Sequence, residues 1–170
     1  SIHSELVLEI TKGSDDPYSI ALINFKGSKN INNQISSVVI NNLKRTGEFR
    51  ILEDKQLLSS PVNQEDINFD EFRLLNVDFI VMGSTNQEDR NDLSVTYEIY
   101  SVNKRSKIRT STVYGIPNRL RQLSHYISDG IYEEVTGMKG VASTRLLYVT
   151  EQIVDGNSIF KLVVADADGE

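Results

Sequence analysis

Cysteine and tryptophan are absent from this chain of 170 residues, histidine occurs twice and proline three times. Without cysteine there is no disulfide, no thiolate metal ligand and no cysteine nucleophile. Two histidines with no cysteine leave too few soft ligands for a zinc site. The compartment stays open, since oxidising and reducing compartments both hold cysteine-free proteins. No apolar run reaches the roughly 18–20 residues that span a bilayer. Ser1-Ile2-His3-Ser4 lacks the basic and apolar parts of a signal peptide. The chain therefore reads either as cytosolic or as a mature form whose signal has been removed. A cationic excess is missing too: the net charge is −6, which disfavours nonspecific binding to nucleic acid or anionic membrane. Gly-x-Gly-x-x-Gly, Walker-type, Gly-x-Ser-x-Gly and His-Glu-x-x-His motifs are all lacking, so an enzyme reading has no residues to stand on.

What is present is an ordinary globular composition, 39% apolar and 25% charged, at a length that suits one domain or one domain plus a fragment. Residues 5–11 alternate, with Leu6, Leu8 and Ile10 on one face, which predicts a half-buried or edge strand. The apolar run 20–25 predicts a central strand covered on both faces. Ile31, Ile35, Val38, Val39 and Leu43 share a helical face over about 30–45, with Asn30 as a cap and Thr46-Gly47 as the stop. A short strand at 49–52, a helical turn within 53–58, a loop at 59–64 and a short helix at 68–75 follow. Strands at 77–83, 93–100 and 108–114 form a meander, the first two separated by a charged hairpin loop at 86–92. A second long helix runs from about Pro117 to Val135 on the stripe Leu120, Leu123, Ile127, Ile131 and Val135, and Gly137 stops it. From Thr144 the style changes: strands 146–152 and 158–165 join around Asp155-Gly156-Asn157, a hairpin signal.

Few residues offer chemistry. His125 shares a helix face with Arg121 and Asp129. That set reads as a general-base pair or as a surface polar cluster positioning a neighbouring loop or domain. The second reading is favoured because no nucleophile motif accompanies it. The acidic doublets lack calcium-loop spacing, and Asp166-x-Asp168-Gly169 reads as a turn whose aspartates bond backbone amides. Lys104, Arg105, Lys107 and Arg109 form the basic cluster. Strand alternation would aim Lys107 and Arg109 the same way, toward a phosphate, but no interleaved aromatics support stacking, so a solvated hairpin is the favoured reading. The amino-terminal segment either pairs with its own sheet or adds a strand to a partner's sheet.

Several strings together carry a family resemblance: Glu5-Leu6-Val7-Leu8-Glu9-Ile10-Thr11-Lys12-Gly13-Ser14-Asp15, Ile20-Ala21-Leu22-Ile23-Asn24-Phe25, Asn42-Leu43-Lys44-Arg45-Thr46-Gly47-x-Phe49 and Asn76-Val77-Asp78-Phe79-Ile80-Val81-Met82-Gly83. The most specific is His125-x-x-x-Asp129-x-Ile131-Tyr132-Glu133-x-x-Thr136-Gly137-x-x-Gly140-x-x-x-Thr144-Arg145-x-x-Tyr148-Val149. Over essentially the whole chain they resemble the TolB family of the Tol-Pal envelope system. The departures are Asn24 in place of a usual Pro, a loop at 86–92 without the usual Gly, and a propeller cut short.

The resemblance implies an α/β fold: a two-layer, anticodon-binding-domain-like unit with a mixed sheet and two long helices over residues 1–140. Residues 141–170 would then be a linker and the first hairpin of a truncated β-propeller. It implies a noncatalytic, monomeric, periplasmic protein without cofactor or metal, serving envelope integrity and cell division. The carboxy-terminal domain of TolA would bind Glu5, Leu6, Val7, Leu8, Glu9, Ile10, Thr11, Lys12, Gly13, Ser14, Asp15 and Asp16, a segment that in the family switches between free and docked states. Pal would bind mainly through the missing propeller and link the protein peripherally to the outer membrane. His125, Asp129, Thr144 and Arg145 would lie at the domain interface. The alternative reading is a nucleic-acid-binding α/β module.

Overall fold

A computed structural model describes residues 16–154 and 157–166, with side chains from 16 to 145. Five strands form one mixed sheet in the order β2-β1-β3-β4-β5. Strand β1 (Tyr18–Leu22) lies between β2 (Phe49–Glu53) and β3 (Phe79–Asp89) and runs parallel to both. Strands β3, β4 (Asp92–Ser101) and β5 (Ser106–Gly115) make the antiparallel meander. A parallel pair cannot be closed by a tight turn. Helix α1 (Lys29–Arg45) therefore carries the chain from β1 to β2, and a stretch with two 3₁₀ turns and the short helix α2 (Phe69–Leu74) carries it from β2 to β3.

The two long helices, α1 and α3 (Leu120–Thr136), pack side by side on one face. Their buried stripes are Ile31, Ile35, Val39 and Leu43, and Leu123, Ile127 and Ile131. They meet Ile20, Leu22, Val95, Tyr97 and Ile99 of the sheet. The expected two layers account for this face only. On the opposite face Phe72 of α2, with Ile67 and Val77, closes over Ala21, Leu52, Ile80, Met82 and Tyr100. That second core explains why Ile20 and Ala21, neighbours of opposite orientation, are both fully buried. Gly137, at φ 73°, ends α3 through its N–H on Glu133 O at 2.9 Å. Gly130 leaves room for the Tyr97 hydroxyl, which a Cβ there would strike.

Two expectations need correction. The hairpin loop at 86–92 is mostly strand: β3 continues to Asp89 and β4 starts at Asp92, so only Arg90 and Asn91 turn the chain. Polarity does not mark a loop where both faces of a sheet end are exposed, as over residues 86–92. The other concerns the basic cluster. A β-bulge at Ile99/Tyr100 sets Arg109 opposite Ile99 and Lys107 opposite Tyr100, so the one extra residue puts the two cations on opposite faces.

Beyond α3, strands β6 (Arg145–Val154) and β7 (Asn157–Asp166) pair antiparallel as a separate two-stranded sheet, from Arg145↔Asp166 to Val154↔Asn157. The turn residues 155–156 and the last four residues lie outside the described ones.

Candidate functional site

Of the expected partner-binding segment, only Asp16 falls among the described residues, exposed just ahead of β1. Residues 5–15, with the strand expected at 5–11, lie outside them. The structure therefore speaks to the other group of candidates, on α3 and the connector after it.

His125 is not on the helix surface; it is 2% exposed. It sits in the seam between the long helices, where Asn42 Nδ2 lies 2.9 Å from its Nδ1 and 3.0 Å from Ser128 Oγ. Ser128 Oγ donates in turn to Ser124 O at 2.8 Å, and Arg45 Nη2 donates to Asn42 Oδ1 at 3.2 Å. With Asn42 donating, His125 Nδ1 is an acceptor in the neutral ring. Sequence reading missed Asn42. Its signal was a polar residue seven after Ile35, two turns along the apolar stripe.

Asp129 is the member of the cluster that holds the connector. Its Oδ1 accepts the Ala142 N–H at 2.6 Å and its Oδ2 the Ser143 N–H at 2.9 Å. Gly140 packs against it so closely that a Cβ would stand 2.6 Å from Asp129 Cα. Thr144, exposed, gives its N–H to Val141 O at 3.0 Å, and exposed Arg145 opens β6. One carboxylate thus ties two successive amides of the connector to the last turns of α3. Asp129→Ala should speed deuterium exchange of the Ala142 and Ser143 amides by about tenfold while leaving α1 protected, because each amide loses its acceptor. Unchanged exchange at both amides would disprove the clamp.

Three of the four members of the basic cluster, Arg105, Lys107 and Arg109, are spent on internal pairs. Arg105, itself at φ 53°, binds Asp70 at 2.6 Å and lies over the Phe69 ring. This hydrogen bond, ahead of the simple attraction of charges, holds the Asp70 carboxyl below its ordinary value. Arg109 reaches Glu134 of α3 at 3.3 Å. Lys107 Nζ and Tyr100 Oη donate to Glu98 at 2.8 and 2.6 Å. Burial opposes ionisation of Glu98, but these two bonds prevail and its carboxyl titrates below its ordinary value. The Tyr100 phenol is pushed up by burial and then by Glu98. A phosphate arriving here would have to displace carboxylates already in place.

The chain matches the family described as TolB amino-terminal domain over residues 6–108. Among its relatives is a Tol-Pal system protein TolB of Alcanivorax borkumensis, 34% identical over 169 residues, which cover 99% of this chain and 39% of the relative. A protein of the same name from Marinomonas sp. is 34% identical over 172 residues, covering 99% and 40%. The crystal structure of TolB from Acinetobacter baumannii superimposes with a TM-score of 0.78 at 27% identity, over 95% of this chain and 39% of that one. The chain thus spans about two fifths of the length of the curated relatives it matches.

Proposed function

This chain belongs to the TolB family, and on that footing we propose that it is a noncatalytic protein-interaction module of the Tol-Pal system, working in the periplasm. Its partner is the carboxy-terminal domain of TolA, and the contact is the segment from Glu5 to Asp16. Pal is engaged mainly through the propeller. The observation that supports the reading best is the match running through 99% of the chain, including the amino-terminal segment and the junction at α3. The physical chemistry is compatible: an alternating segment offers main-chain donors and acceptors to a partner's sheet edge, and its Leu6-Leu8-Ile10 face gives specificity. Residues 1–140 act as the domain, and residues 141–170 as a linker with the first hairpin of a propeller. Asp129 then has a mechanical role at the domain junction with Thr144 and Arg145, and His125 backs it from the helix seam. The nucleic-acid reading gains no support, since Arg105, Lys107 and Arg109 are each paired to a carboxylate.

Calorimetric titration of this chain with a TolA carboxy-terminal domain tests the reading. Saturable heat at one-to-one stoichiometry is expected. Absence of binding at high micromolar concentration, with both proteins folded, would remove TolA as the partner of this module.

A further inference from the structure

Helix α1 is exposed along one side, yet its residues from Asn30 to Leu43 include no charged side chain, in a chain of which a quarter is charged. An exposed helical face is normally laced with Lys and Glu for solvation. This one carries Asn33, Ser37 and Asn41, four apart, in a row rising about 6 Å per step. Among the described residues, none of the three side chains makes a hydrogen bond to another protein group.

That row borders a crevice of about 320 Å³ between α1 and the carboxyl ends of β1 and β2. The place is set by topology. The chain leaves β1 toward α1 on one face and leaves β2 toward α2 on the other. Loops that diverge from neighbouring parallel strands open a crevice beyond their carboxyl ends, where α/β sheets bind ligands. The volume lies at the lower end of the small-molecule range.

The lining selects the ligand class. Asp54 is already held, with Asn24 Nδ2 at 2.9 Å and Ser60 Oγ at 2.5 Å on its two oxygens. Glu53 faces Lys44 at 3.7 Å and Lys55 at 3.3 Å. Neither carboxylate is left for a cation, and no group of three metal-ligating side chains occurs among the described residues. An anion would meet two carboxylates against one lining lysine. No aromatic ring lines the crevice to stack a nucleobase, and Leu22 and Ile40 are its apolar residues. What fits is a ligand that is neutral and rich in both donors and acceptors, which side-chain amides and hydroxyls match group for group.

We propose that this crevice binds a neutral polyhydroxylated small molecule, a mono- or disaccharide, held by the amides of Asn33 and Asn41 and the hydroxyl of Ser37. Asn24, fixed by Asp54, stands at the floor as a preset amide. The proposal does not depend on TolA binding.

The test is a ¹H–¹⁵N titration of the whole chain with maltose, with N-acetylglucosamine and with capped triglycine. Saturable shifts confined to the side-chain amides of Asn24, Asn33 and Asn41 are expected with at least one sugar in the millimolar range, as suits a small open site. The double variant Asn33→Leu/Asn41→Leu, both positions being exposed, should keep the backbone spectrum and weaken binding tenfold or more. No saturable shift with either sugar up to about 50 mM, shifts with capped triglycine alone, or undiminished binding in the double variant would each overturn the proposal; the triglycine result would mark the crevice as a polypeptide site.

Discussion

A chain lacking residues 5–12 is expected to keep its fold and to lose TolA binding by a factor of a hundred or more, about 2.7 kcal/mol. The first half of the expectation follows from the sheet. Strand β1 is already flanked on both sides, by β2 and by β3, so it needs no further strand. Urea denaturation should accordingly give nearly the same midpoint and slope as the intact chain. The second half follows from how strand addition works. Its affinity comes from a ladder of main-chain bonds, which must exceed an ordering cost of about 1–2 kcal/mol per residue. Deleting the ladder leaves little. If the shortened chain binds TolA with undiminished affinity in the same calorimetric cell, the contact lies elsewhere on the module.

The second large effect is expected at Asn42. Asn42→Leu keeps the heavy-atom count and branching of the side chain but takes a donor from both His125 Nδ1 and Ser128 Oγ inside the α1–α3 seam. It also takes the acceptor from Arg45 Nη2. A buried acceptor left bare costs about 1–3 kcal/mol, well above the net gain from forming the bond. A loss of about 3 kcal/mol is therefore expected, read as a lower urea midpoint at unchanged slope. The triple change Asn42→Leu, His125→Leu, Ser128→Ala should recover much of it, since both buried partners are then removed and exposed Arg45 is left to water. A single variant as stable as the parent would show that the seam is held by its apolar neighbours alone.

The parts of this fold legible in the sequence are those where one periodicity rules. Helix α1, expected over 30–45, spans Lys29–Arg45 because Ile31, Ile35, Val39 and Leu43 repeat every four residues up to Thr46-Gly47. The meander was legible because Leu93, Val95, Tyr97 and Ile99 alternate with polar residues. What was hidden depends on partners remote in sequence. No local pattern announces the bulge that turns Lys107 and Arg109 apart, since it is a property of two strands together. His125 looked like a surface group because Arg121 and Asp129 lie on its own helix. Its burial is decided by Asn42, 83 residues away. Asp129 was singled out by its company with His125, whereas its actual partners are backbone amides, which carry no sequence signature.

The position of β1 also governs how the chain can reach its native state. Its parallel partner β3 begins with Phe79, which pairs with Ile20 across nearly sixty intervening residues. The meander closes through two short turns, and such local hairpins form in microseconds. Closing the long loop between β1 and β3 carries an entropy cost before any contact repays it. The centre of the sheet in space is therefore expected to pair later than the meander beside it. On that expectation the meander serves as a template beside which β1 pairs with β3. Chains stopped before the last step would expose the edge of β3, so folding speed, more than final stability, sets this module's exposure to aggregation.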